Sequence, residues 1–154
     1  MRRALVYIAV AAVIAVSFAY LYNRFPSEAV SSTRTVYIGS QAIKVIVAQT
    51  PEERQKGLSG REGLGANEGM LFVFPTDGLW GFWMKDMRFS IDILWLSADG
   101  TIIYIAPNVS PDTYPQTFEP PAPARYVLEL PAGYVAYHDV NIGDQTNGLT
   151  KTDP

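Results

Sequence analysis

The chain has no cysteine and one histidine, His138. Without cysteine there can be no disulfide, thiolate metal site, cysteine nucleophile or lipoprotein anchor. One histidine cannot supply the paired spacing of a histidine zinc site, and no loop carries the alternating acidic ligands of an EF-hand. Positive charge is also scarce: 12 Lys+Arg stand against 15 Asp+Glu, a net charge of −3. Arg2, Arg3 and Arg24 precede residue 25, so the remainder holds 9 basic and 15 acidic residues, or −6. Such a surface repels phosphates, and no nucleic-acid partner is expected. The chain lacks a G-x-S-x-G elbow, a P-loop and a dinucleotide fingerprint, so no nucleotide cofactor is expected. His138 stands beside Asp139 without a recognisable serine partner and reads as a packing or surface residue.

The N-terminus is strongly apolar. After Met1–Arg3, residues 4–22 contain Ser17 as the one strongly polar side chain. As a helix these 19 residues would reach roughly 28 Å, close to the thickness of a bilayer core. Tyr20 and Tyr22 lie where an interfacial aromatic belt would fall, and Asn23, Arg24 and Pro26 end the run. By the positive-inside rule the arginines stay in the cytoplasm and the rest of the chain lies outside it. Residues 1–24 therefore read as a signal anchor giving a single-pass cell-membrane protein. The alternative is a signal peptide cleaved after Ala19, giving a secreted or periplasmic one. Residues 25–34 read as a polar tether, 35–145 as the folded domain and 146–154 as a disordered tail.

Turn signals and alternation make that domain mainly β. Gly39-Ser40 separates two alternating segments, as in a hairpin. Thr50-Pro51-Glu52-Glu53 combines an N-cap, a first-turn proline and a capping box, predicting a short helix to about Leu58. Strands are expected at Met70–Phe74, Trp80–Lys85, Ile91–Ser97, Thr101–Ala106 and Arg125–Leu130. The Asp99-Gly100 turn predicts Trp95 opposite Tyr104 and Leu94 opposite Ile105. Residues 107–123 hold six prolines and read as a long loop. Tyr134–Asp139 reads as one helical turn, with a strand as the alternative. The expected architecture is a β-sandwich or a partly closed barrel with one or two short helices, behind a single N-terminal transmembrane helix.

Residues 69–96 concentrate the chemistry. They hold all three tryptophans, with Lys85, Asp86, Arg88 and Asp92 set among apolar side chains. Charge within a hydrophobic run must be paired or used. On a regular strand Trp83 and Lys85 share a face and form a wall suited to a polyol or an anion. Asp92 alternates with Leu94 and Leu96. It reads either as a base or ligand acceptor, or as a structural carboxylate holding the Asp86–Ser90 loop by backbone N–H groups. Glu129 lies between Leu128 and Leu130, with Arg61 and Lys85 as candidate ion-pair partners. Asp92 and Glu129 together would suit acid–base or glycosidase-type hydrolysis if suitably separated.

The chain also resembles a widespread prokaryotic family, the domain of unknown function one-nine-two. The matching strings are Glu53-Arg54-Gln55-Lys56-Gly57-Leu58, Arg61, Leu64, Gly69-Met70-Leu71-Phe72-Val73-Phe74, Phe82-Trp83-Met84-Lys85 and Ile91-Asp92. Leu128 to Gly133 and Gly143-Asp144 complete them. The resemblance covers about residues 35–145 and implies a compact β-sandwich of jelly-roll type, with no established activity. Ser59 stands where the family has methionine, Ser90 where it has proline, and Arg88 is atypical for its position. The reading that follows is a membrane-anchored binding or accessory module for a small polar or carbohydrate-like envelope ligand. Its site would be Trp83, Lys85 and Asp92, with Glu129 and Arg61 as further candidates and residues 107–123 as a lid. An envelope hydrolase and a purely structural protein-interaction domain are the alternatives.

Overall fold

The computed structural model describes residues 32–150. The expected membrane segment, its cleavage site and most of the tether lie outside those residues. Within them the chain forms one seven-stranded sheet. Strand β1 (Thr33–Ile38) turns at Gly39, φ +56°, into antiparallel β2 (Gln41–Ala48). A short helix, α1 (Pro51–Lys56), follows with the complete capping box: Glu53 N donates to Thr50 Oγ1, and Thr50 N donates to Glu53 Oε2. Strand β3 (Glu68–Gly78) returns parallel to β2, so α1 and the loop after it form a crossover on one face.

The remaining strands are β4 (Ile91–Leu96), β5 (Ile102–Val109), β6 (Ala124–Pro131) and a two-residue β7 (Thr146–Asn147). A 3-10 turn spans Pro111–Thr113, and α2 (Tyr134–Tyr137) is a single helical turn. The sheet order is β5-β4-β6-β3-β2-β1-β7. The hairpin across Asp99-Gly100 has the predicted pairs, Leu94 with Ile105 and Trp95 with Tyr104.

The two ends of this sheet meet. Thr146 pairs with Ile38 of β1, while its N–H donates to Gly100 O at 2.8 Å. Gln145 bridges Thr101, and Ile102 N donates to Asp144 O at 2.9 Å. The sheet is thus curled into a partly closed barrel, and the expected two-sheet jelly-roll sandwich is not formed. The physical reason is continuity: β6 pairs with both β3 and β4, so no strand break separates two layers. Residues 146–150, expected in a disordered tail, instead carry β7 and the buried Leu149.

Both faces of the curled sheet are apolar. Its inner face joins Val36, Ile43, Leu71, Leu94, Leu128 and Leu149. Its outer face carries Met70, Phe72, Ile93, Trp95 and Val127, covered by Leu58, Met84 and their neighbours. All six residues of β4 are buried, as five apolar residues around Asp92 require of a central strand.

Candidate functional site

The segment 79–90 was expected to hold a strand at Trp80–Lys85. Apart from a bridge between Phe82 and Phe118 it is not one. It lies across the outer sheet face as an extended cover. Its alternation is real: Phe82 and Met84 turn inward, while Trp83 and Lys85 turn out. The cover is fixed by aromatic contacts and two indole hydrogen bonds. Trp80 stacks on Phe74 at 4.1 Å, and Phe82 meets Phe72 edge-on at 4.8 Å. Trp80 Nε1 donates to Ala124 O at 2.9 Å, and Trp95 Nε1 donates to Trp80 O at 2.8 Å.

Between this cover and α1 lies a cavity of about 320 Å³. Its apolar lining includes Leu58, Phe72, Phe74, Phe82 and Met87. Trp83, 53 % exposed, stands at its rim, and Gln55, Lys56 and Ser59 add polar groups. Glu129 also lines it, although that residue is only 5 % exposed. Strand pairing sets Glu129 between Met70 and Ile93, two apolar neighbours. Its Oε2 finds no hydrogen-bond partner among the described residues. Burial pushes its carboxyl up to about 8, so at neutral pH it is held mainly as the neutral acid. A buried carboxyl without a partner in a cavity makes Glu129 a candidate site residue.

Asp92 belongs elsewhere. It pairs with Leu130 while Ile93 pairs with Glu129, so β-alternation puts the two carboxylates on opposite sheet faces. They share no cleft, and two-carboxylate hydrolysis therefore has no geometric basis here. Asp92, fully buried, accepts from Asn108 N at 2.7 Å and Gly133 N at 3.2 Å through Oδ1, and from Val135 N at 2.8 Å through Oδ2. It is a structural carboxylate, as one reading held, but it ties the ends of β5 and β6 rather than the Asp86–Ser90 loop. Gly133, in the left-handed region at φ +84°, lets the chain turn so that these N–H groups converge.

The other candidates separate as well. Lys85 lines a neighbouring cavity with Glu52, Lys56 and Asp86, and Trp83 borders both. Arg61 is exposed and lines neither cavity. Neither Arg61 nor Lys85 pairs with Glu129; among the described residues the ion pairs are Arg88–Glu62 and Arg125–Asp77. The proline-rich loop is not a lid, since no residue of 107–123 lines the aromatic cavity. It braces the cover from behind, where Phe82 N donates to Phe118 O at 2.9 Å and Phe118 N to Phe82 O at 2.8 Å.

The α1 wall was not anticipated as part of a site. Arg54 donates to Gln49 O and to Val73 O, and its guanidinium lies 5.1 Å over the Phe74 ring. It therefore clamps the helix to β3. The family strings gave one signal of this wall, because Glu53 to Leu58 carries several of the cavity residues.

Residues 34–148 match the DUF192 family, described as an uncharacterized ACR. The chain belongs to this family. A solved structure from Sinorhizobium meliloti 1021, described as that of a candidate transcription regulator, is 31 % identical to the chain with a TM-score of 0.75. The match covers 79 % of the chain and 98 % of that protein. A protein of unknown function from Novosphingobium aromaticivorans DSM 12444 is 29 % identical with a TM-score of 0.69, over 75 % of the chain and 83 % of that protein. No curated protein matches the chain. DUF192 membership accounts for the shared fold and leaves the cavity as the place to seek activity.

Proposed function

We propose that this DUF192 domain is a membrane-tethered module, displayed outside the cytoplasm, that binds a small polar, carbohydrate-like envelope component. The observation that carries the binding reading is one cavity holding both a half-exposed Trp83 and the buried, unpartnered Glu129. An aromatic face and a hydrogen-bonding group at depth are what a polyol needs: stacking on its apolar side and polar contacts on its hydroxyls. The tether rests on the basic start and the apolar run over residues 4–22. The regulator role attributed to the S. meliloti protein is not carried over, because a domain of net charge −6 beyond residue 24 offers no phosphate-binding footprint.

Ligand-detected NMR with envelope sugars tests the reading. Saturation transfer is expected with the wild-type chain and is expected to fall severalfold in Trp83→Ala. Equal signals in both proteins, or none in either, would remove it.

A further inference from the structure

A neutral polyol leaves the buried acid of the cavity without a counter-charge. Glu129 lies at depth, 5 % exposed, and its Oε2 has no partner among the described residues. On β6 itself Val127 and Pro131 share its face, and across the sheet it meets Met70 of β3 and Ile93 of β4. The cover brings Phe82, Trp83 and Met87, none of them charged. The helix α1 brings Arg54 and Lys56. Arg54 is committed to two carbonyls and the Phe74 ring, and Lys56 is exposed. Neither pairs with Glu129 among the described residues, and burial raises its carboxyl with no lowering by either cation. Glu52, Lys85 and Asp86 line the neighbouring cavity instead.

Such a site favours an ammonium over a hydroxyl. A hydroxyl leaves the acid neutral. An ammonium makes it a carboxylate, and the resulting charge-assisted bond is roughly twice as strong as a neutral one. Ionising the acid at pH 7 costs about a factor of ten. Attraction between unit charges about 4 Å apart, at an effective dielectric of about 20, is worth roughly three orders of magnitude before the ammonium's own desolvation is counted. The aromatic lining from Phe72, Phe82 and Trp83 replaces part of that lost hydration. The same wall already takes a cation, since the Arg54 guanidinium lies 5.1 Å over the Phe74 ring. Beyond residue 24 the chain carries −6, a field that draws cations in.

We propose that the cavity takes an amino sugar, with its protonated amine at depth against the Glu129 carboxylate. The sugar ring rests on Trp83 at the rim, where Gln55, Lys56 and Ser59 are placed to meet its hydroxyls. Binding releases the Glu129 proton to solvent, and no covalent bond changes. This rests on the polyol-binding reading above and narrows it to polyols that bear an aliphatic amine.

Titration of the full chain in mild detergent with glucosamine, N-acetylglucosamine and glucose tests it. At pH 7 glucosamine is expected to bind roughly tenfold more tightly than the other two, because acetylation removes the charge and glucose lacks the nitrogen. N-methylglucamine stays protonated from pH 6 to pH 8 and supplies the pH profile. Its affinity should rise about tenfold from pH 6 to pH 7 and level off above pH 8 as the acid ionises, while amine-free glucitol shows no rise. Glu129→Gln keeps the shape and cannot ionise. With a native circular dichroism spectrum it should bind glucosamine no better than glucose, and N-methylglucamine equally at each pH. The wild-type pH profile decides the matter if that variant does not fold. Equal binding of the three sugars to wild type, or tighter binding of either neutral one, would overturn the amine assignment and leave the polyol reading standing. Binding of none would end both. A glucosamine preference kept in Glu129→Gln, or a flat wild-type profile with N-methylglucamine, would overturn the pairing with Glu129.

Discussion

Replacing Glu129 with glutamine should change how stability depends on pH. The carboxyl has an ordinary value of 4.5 and is raised to about 8 in the fold by burial. The folded protein therefore binds more protons than the unfolded chain between those values. The stability linked to this group is fully present below pH 4.5 and is lost as pH rises towards 8. The gap is 8 − 4.5 = 3.5 pH units, and at about 1.4 kcal/mol per unit the loss is roughly 5 kcal/mol. That is comparable to the whole stability of a marginal domain. Glu53 and Asp99 shift the other way, held down respectively by the Thr50 N–H and the Ser97 hydroxyl, and their contributions are lost only in acid. They cancel in a comparison of wild type with Glu129→Gln. Urea unfolding of both proteins from pH 4 to pH 9 should show the variant gaining on wild type by several kcal/mol as pH rises. A difference that stays constant across the range would refute a buried, unpaired carboxyl.

Three further perturbations test the frame. Asp92→Asn weakens the acceptor for three backbone N–H groups and should cost roughly 2 to 4 kcal/mol in chemical denaturation; a cost below about 1 kcal/mol would dismiss its structural role. Gly100→Ala places a Cβ 2.4 Å from Thr146 O at φ +87°, so it should lower the melting temperature and speed amide exchange at Thr146; unchanged exchange there would count against closure. Thr50→Ala removes the N-cap acceptor from Glu53 N and should cost about 1 kcal/mol in urea, with no loss contradicting the capping box.

Local features were legible in the sequence. The Asp99-Gly100 turn fixed the β4–β5 pairs, and Thr50 to Glu53 announced α1, because each signal lies within a few residues of its effect. The segment 80–85 misled for a physical reason. An extended cover over an apolar face alternates inward and outward side chains just as a strand does, without a strand's ladder of hydrogen bonds. The separation of Asp92 from Glu129 depended on β4–β6 register across more than thirty residues of chain, which no local pattern encodes. The sandwich expectation failed similarly: strand count and alternation do not say whether one sheet bends or two stack. Glu129 was visible as an oddity between leucines, but the α1 wall facing it arises from the β2–β3 crossover.

The meeting of the sheet ends also bears on self-association. An open sheet presents rows of unpaired N–H and C=O groups on which a second copy can add a strand. Here β7 is two residues long, so little template is offered beyond β1. At the opposite limit, Ile102 is occupied by Gly143 and Asp144, and Pro107 brings no N–H further along β5. Copies confined side by side on a membrane, as the proposed tether would hold them, would meet at high local concentration with the edge left to them confined to Ile103–Ala106 of β5 and the start of β1.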